Sequence, residues 1–318
     1  MDSWILDGFK IIAGLAALYY GGEFLVTACV RIARKLKVSP FVIGATVIGF
    51  GTSSPELSVS ILAALGGAPE LSMGNVIGSN IANIGLVLGI TGLVVPLSIR
   101  RGLFTIESPP LIIATLLILF LAWDFTLLRW EGCVMIFLLA IHLFISLMNA
   151  RGDEIEVEDE EETELFAGKS LPWQFLLSLS GLALLLLGAH YLVEGGVNIA
   201  RSFGISEWFI GVSIIAVGTS LPEISSSLIA AKKGHGEMAI GNIFGSNIFN
   251  IMMVLGVTAT ITPLQIKENI HADILYSTGL TALLLVFLYR NLKLNKFEGG
   301  ILLTAYFFYI GAKGSGFF

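Results

Sequence analysis

The sequence predicts an all-α polytopic membrane protein, with ten transmembrane helices arranged as two inverted five-helix repeats. Three observations carry this expectation. Of 318 residues, 55% are hydrophobic and 13% charged, and the mean hydropathy is +0.86; soluble domains carry about 25% charged residues. Apolar stretches of spanning length, roughly 20 residues, recur along the whole chain and leave almost nothing for a soluble domain. The chain also matches itself, without a gap, after a shift of 167 residues.

The stretches follow in order. The first, 3–33, opens with Met-Asp-Ser-Trp and contains Lys10. It lacks a basic region ahead of an apolar core, so it reads as a retained span and not as a cleavable signal peptide. Stretches at 40–65, 71–96, 103–122 and 130–149 complete a first half, 1–149. Residues 150–170 link the halves and carry an acidic run from Asp153 to Glu164. One reading of the run is a solvated cytoplasmic linker; the other is a Ca2+-sensing segment. The first is favoured, because the run lacks the turn glycine and ligand spacing of an EF-hand loop. The second half, 171–318, holds stretches at 171–201, 207–231, 238–262, 272–290 and 298–316.

The repeat is densest at 44–89 and 211–256, where about half of the positions are identical. Gly44 falls on Gly211, Glu56 on Glu223, Gly74 on Gly241, Asn83 on Asn250 and Gly89 on Gly256. Upstream, Gly14, Leu25, Val26 and Arg34 fall on Gly181, Leu192, Val193 and Arg201. Matches at Asn, Glu, Pro and Ser exclude a coincidence of apolar composition. Five spans per half is an odd number, so the second half enters the membrane from the opposite side. That architecture belongs to secondary transporters with midplane sites. Of the 18 Lys and Arg residues, 13 collect on one side, the side of the 150–170 linker. By the positive-inside rule that side is cytoplasmic and both termini lie outside. The expected location is the cell membrane, with the lipid bilayer as partner.

The chemistry concentrates in a duplicated motif, Gly-Thr-Ser-Ser-Pro-Glu at 51–56 and Gly-Thr-Ser-Leu-Pro-Glu at 218–223. A carboxylate at mid-membrane costs about 2.5–3.5 kcal/mol even on a lenient scale. Pro55 and Pro222 have no N–H, so the carbonyls of Gly51 and Gly218 lose their helical partners. Free carbonyls, the hydroxyls of Thr52, Ser53, Thr219 and Ser220, and two carboxylates form a set of hard oxygen donors. Such donors suit Ca2+ or Na+ and suit soft metals poorly. The next span adds Asn75, Ser79 and Asn83 on one helix face, repeated as Asn242, Ser246 and Asn250. Gly74 and Gly78, with Gly241 and Gly245, have the small-xxx-small spacing that lets backbones approach closely. Asn75, Asn80, Asn242 and Asn247 read as interhelical hydrogen-bond glue at least as well as ion contacts. Ser79, Asn83, Ser246 and Asn250 read as ion contacts. Glu23 and His190, which align in the first span of each half, and Glu194 read as packing or gating partners.

Several function classes find no support. Cys29 and Cys133 offer neither a disulfide framework nor metal spacing. No Ser/His/Asp set, no His-Glu-x-x-His zinc motif and no phosphate-binding glycine loop is present, which speaks against an intramembrane hydrolase and an ATP-driven pump. The net charge of −6 sits mostly in one loop and implies no nucleic-acid partner. No cofactor and no obligatory protein partner is expected.

At the duplicated motif the chain resembles the cation/Ca2+ exchanger superfamily, most closely the prokaryotic Na+/Ca2+ exchangers. The resemblance rests on the repeats at 44–89 and 211–256 and, through the five-plus-five layout, extends over nearly the whole chain. It implies a transporter and not an enzyme: an electrogenic antiporter exchanging Na+ for Ca2+ by alternating access, with spans one and six sliding over the rest. It further implies that Glu56 and Glu223 clamp Ca2+ and share in Na+ binding, and that Thr52 and Thr219 supply backbone carbonyls. Ser79 and Ser246 would serve flanking Na+ sites with backbone oxygens at Gly49 and Ala216. Asn83 and Asn250 would line the central site, and Ser53 and Ser220 would support the motif. Some members carry Asp where this chain has Asn250; with only two carboxylates, K+ co-transport is disfavoured. A H+/Ca2+ antiporter of the same fold is the near alternative, and a cation channel a more distant one.

Overall fold

Proline and glycine punctuate the chain where helices begin and end. The computed structural model describes residues 2–149, 170–204, 216–266 and 270–315. Its helices are α1 (Asp2–Leu36), α2 (Pro40–Thr52), α3 (Ser54–Leu65), α4 (Pro69–Val94), α5 (Arg101–Leu121), α6 (Arg129–Asn149), α7 (Leu171–Ser202), α8 (Ala216–Thr219), α9 (Leu221–Lys232), α10 (Gly236–Ile261), α11 (His271–Asn291) and α12 (Lys296–Gly314). Proline stands in the first turn of α2, α3, α4, α7 and α9, where its missing N–H leaves no gap in the ladder. Ser39 caps α2 by accepting from the Val42 amide, and Asn295 with Glu298 forms a capping box on α12.

The local structure repeats at the interval that the sequence does. The six positive-φ residues described form three pairs 167 apart: Lys37 with Gly204, Gly67 with Gly234, and Phe125 with Leu292. π-Helical turns occupy Asn83–Leu88 within α4 and Asn250–Leu255 within α10, again 167 apart. A third π turn, Gly44–Ile48 in α2, has its counterpart outside the described residues. Two short antiparallel ribbons obey the same rule. Strand β1 (Leu97–Ser98) pairs with β4 (Lys293–Leu294), and β2 (Thr126–Leu127) pairs with β3 (Leu264–Gln265). The shift turns the pair Leu97–Leu294 into Leu264–Leu127 and so exchanges the two ribbons.

The centre is made by α4 and α10. Their most apolar windows are 83% and 94% buried, against 33–39% for the other long helices. They run antiparallel. Gly236 at the start of α10 lies against Leu97 and Ser98, just past the end of α4, while the start of α4 packs beside β3. Glycine allows α2 to press on α10: a Cβ on Gly241 would strike the Phe41 carbonyl, and one on Gly245 the Ala45 carbonyl. Gly74 and Gly78, the equivalents in α4, meet nothing comparable among the described residues; positions 208 and 212, the counterparts of Phe41 and Ala45, lie outside them. Outside this centre, α1 and α7 pack antiparallel through Gly14 against Gly188 and Gly21 against Gly181.

Seven described helices are long and apolar enough to cross a membrane; α2 with α3, bent by 40° at Ser53, makes an eighth if counted as one span. The two remaining expected stretches differ for separate reasons. Stretch 207–231 includes undescribed residues, 205–215. Stretch 298–316 holds α12 as far as Gly314, but Glu298 and Lys313 lower its hydropathy. The acidic run at 153–164 lies outside the described residues.

Candidate functional site

The duplicated motif breaks its helix the same way twice. Ser53 separates α2 from α3 with φ −85° and ψ 0°, and Ser220 separates α8 from α9 with φ −91° and ψ 1°. Pro55 and Pro222 then start the following helices, which puts Glu56 and Glu223 in the first turn of α3 and α9. The free amides and dipole of a helix N-terminus favour a negative charge there.

Both carboxylates are buried, Glu56 3% and Glu223 1% exposed. Glu223 interacts electrostatically with Glu56 from the other half of the chain. Glu56 Oε2 and both carboxylate oxygens of Glu223 make no well-formed hydrogen bond with the protein. The Thr52 hydroxyl stands beside Glu223, but its proton is directed to the Ile48 carbonyl at 3.1 Å. Three further buried polar atoms of the motif and stripe have no protein partner: Ser53 Oγ, Asn242 Oδ1 and Asn250 Oδ1. Buried polar atoms are nearly always partnered, so these oxygens on the two motif halves are candidates for contact with a ligand.

The amide residues join the halves. Asn83 Nδ2 donates to Asn247 Oδ1 at 3.0 Å, and Asn250 Nδ2 donates to Asn80 Oδ1 at 3.0 Å. The two bonds are one another's 167-shifted image. Asn80 Nδ2 adds a bond to the Asn247 carbonyl at 3.2 Å. Asn80 and Asn247 are therefore the interhelical glue that their sequence suggests. Asn83 and Asn250 each spend the amide on that lattice, which leaves the Asn250 carbonyl oxygen open. Asn75 and Asn242 act within their own halves. Asn75 holds the Glu56 carbonyl (3.2 Å) and Ser60 Oγ (3.0 Å); Asn242 holds Ser226 Oγ (3.2 Å) and Ser227 Oγ (2.9 Å). Their role is to fix α3 and α9 in place. Ser60, Ser226 and Ser227 belong to no motif that the sequence marks, although Ser60 and Ser227 align.

Ser246 and Ser79 are buried on the expected faces of α10 and α4. Ser246 Oγ lies 3.3 Å from Thr52 Oγ1, which joins the first motif to the second stripe. Gly49 packs against the Ser246 amide and the Asn242 carbonyl so tightly that an added Cβ would lie 2.9 Å from the amide nitrogen. Burial differs between the two copies: Thr52 is fully buried, whereas Thr219 is exposed. Ala216 opens α8 directly after the undescribed stretch 205–215. Glu23 and His190 stand apart from this cluster. Lys233 pairs with Glu23 at 2.6 Å, His190 lies 3.9 Å from Glu194, and Glu194 pairs with Lys10 at 2.7 Å. These contacts tie α1 to α7 and α9.

Among the described residues, no three His, Cys, Asp or Glu side chains gather as a metal cage. The donor set is instead two carboxylates with hydroxyl, amide and backbone oxygens. That chemistry fits a hard cation and fits tight transition-metal binding poorly.

Fold and site together define a multi-pass helical membrane protein with a buried, dicarboxylate centre at the crossing of two repeat units. The profile of the family described as "Sodium/calcium exchanger protein" matches residues 9–148 and 173–313. The putative antiporter CaxA of Alkalimonas amylolytica is 42% identical over 308 residues, covering 94% of this chain and 96% of that protein. The sodium/calcium exchanger MaX1 of Methanosarcina acetivorans is 29% identical, covering 93% and 95%. Structures of the sodium-calcium exchanger NCX_Mj, one of them soaked with Na+ and without Ca2+, superpose with a TM-score of 0.82 at 34% identity, covering 97% of this chain and 99% of that one. The chain belongs to the sodium/calcium exchanger family, and it is a membrane transporter and not an enzyme.

Proposed function

We propose that the protein is an electrogenic Na+/Ca2+ antiporter working by alternating access, with ten spans in two inverted halves, 1–149 and 171–318, joined by a cytoplasmic linker. The observation that carries this reading is the buried pair Glu56 and Glu223, with three carboxylate oxygens open to a ligand. Two carboxylates offer a charge of −2, which one Ca2+ neutralises. Several Na+ ions compete for the same oxygens, so occupancy by one ion excludes the other. A loaded site is neutralised and can be carried across; an empty, doubly charged site is held back by the desolvation of its carboxylates. Coupling follows from that difference.

Glu56 and Glu223 clamp Ca2+ and contribute to Na+ binding. Thr52 and Thr219 offer backbone carbonyls. Ser79 and Ser246, with backbone oxygens at Gly49 and Ala216, serve flanking Na+ positions; Asn83 and Asn250 line the centre, and Ser53 and Ser220 support the bends. The antiparallel crossing of α4 and α10 and the exchanged ribbons favour the inverted arrangement. The lysine and arginine bias favours termini outside, and the prokaryotic relatives favour a prokaryotic cell membrane. At a cytoplasm-negative potential, Na+ influx drives Ca2+ out.

The test is ion replacement in proteoliposomes. Radiolabelled Ca2+ uptake should need an outward Na+ gradient. Uptake driven by a pH gradient without Na+ selects a H+/Ca2+ antiporter, and flux with no counter-ion selects a channel.

A further inference from the structure

Another buried carboxylate takes no part in this ion reading. Glu107 on α5 is 2% exposed. It accepts a hydrogen bond from Ser146 Oγ at 2.7 Å, and its other oxygen lies 3.9 Å from His142 Nε2. Both partners sit on α6, one turn apart, and both are buried.

The second half builds the same arrangement with other chemistry. Asp273 on α11 accepts from the Tyr309 hydroxyl at 2.9 Å and from Lys313 Nζ at 2.6 Å, again one turn apart, on α12. Shifted by 167, His142 falls on Tyr309 and Ser146 on Lys313. Asp273 falls on Ile106, so the carboxylate has moved one position along the helix.

The difference lies in charge. Lys313 neutralises Asp273. In the first half serine stands in the place of the lysine, and His142 is the ionisable group beside Glu107. Among the described residues, no ionisable group of the packed elements bonds to the pair. α10 carries Glu237, which Arg100 holds at 3.0 Å. α11 carries His271, Asp273, Tyr276, Tyr289 and Arg290, and none bonds to Glu107 or His142 among the described residues. An unbalanced buried carboxylate is expensive, so neutrality requires one proton on the Glu107–His142 pair. Pro109 and Pro110 follow Glu107 within α5 and deprive the Thr105 and Ile106 carbonyls of their helical donors, which softens the helix there.

We propose that Glu107 and His142 form a buried one-proton binding site that holds α5 against α6, and that loss of this proton at alkaline pH parts the helices and stops transport. The transport readout rests on the antiporter reading; the stability readout does not. Thermal unfolding of the purified full-length protein and Na+-driven Ca2+ uptake are measured with equal pH on both sides, from about pH 6 to about pH 9. In the wild type both fall on the alkaline side, uptake by about tenfold per pH unit beyond the titration of the site. Glu107→Gln has no charge to expose, and Ser146→Lys imports the cation of the second half; each should flatten the alkaline limb. Wild-type and Glu107→Gln profiles that superimpose would overturn the proposal. Because Glu107→Gln is isosteric, it decides the matter even where Ser146→Lys does not fold. An alkaline limb present in unfolding, absent in Glu107→Gln, with no Na+-driven uptake at any pH, supports the proton site and counts against the antiporter reading.

Discussion

Asn83 and Asn250 each donate an amide hydrogen across the chain's internal repeat, to Asn247 and Asn80, at 3.0 Å in both cases. Two helices thereby cross at their middles, next to the two motif bends. Replacing Asn247 by Ala leaves the Asn83 amide buried without an acceptor. The expected loss is on the order of 1 kcal/mol, since membrane hydrogen bonds contribute modestly on average. A lowered melting temperature of the detergent-solubilised protein would show it; an unchanged one would mean that the crossing does not depend on this lattice.

The close approach of α2 and α10 gives a second test. Gly245→Val places branched carbon against the Ala45 backbone, and overpacking of this kind costs about 1–3 kcal/mol or more. Gly311→Ala is the control, because a Cβ there meets nothing within 4 Å. Yield of monodisperse protein should collapse for the first and stay normal for the second.

In the proposed reading, Ser246 is where the two ions differ. Its hydroxyl touches Thr52 Oγ1 and, in the proposed reading, serves Na+ more than Ca2+. Ser246→Ala should raise the Na+ concentration for half-maximal exchange about tenfold, roughly 1.4 kcal/mol, and shift Ca2+ half-saturation much less. Equal shifts for both ions would remove the distinction between flanking and central positions.

How much of this was legible in the sequence depends on what each residue touches. Glu56, Pro55 and Thr52 are conspicuous because polar residues in an apolar stretch are expensive, and their duplication makes accident implausible. The glycine contacts of Gly241 and Gly245 also follow from spacing. By contrast, the bond from Asn83 to Asn247 joins residues 164 apart, and no local pattern specifies which of two aligned asparagines meets which. The exposure of Thr219 against the burial of Thr52 breaks a symmetry that the motif alone suggests is equal. The repeat does not mark Glu107, because its counterpart Asp273 is offset by one residue.

Charge movement tests the electrogenic cycle. One net charge crossing 100 mV is worth about 2.3 kcal/mol. With Na+-loaded vesicles, an inside-positive potential clamp should speed Ca2+ uptake and an inside-negative clamp should slow it. Rates indifferent to the clamp would indicate electroneutral exchange.

The account stands on Glu56 and Glu223 as the ion-binding pair. Na+-gradient-driven radiolabelled Ca2+ uptake should fall to background in Glu56→Gln and in Glu223→Gln proteoliposomes, with both variants eluting as folded protein. Normal uptake by both folded variants would contradict it.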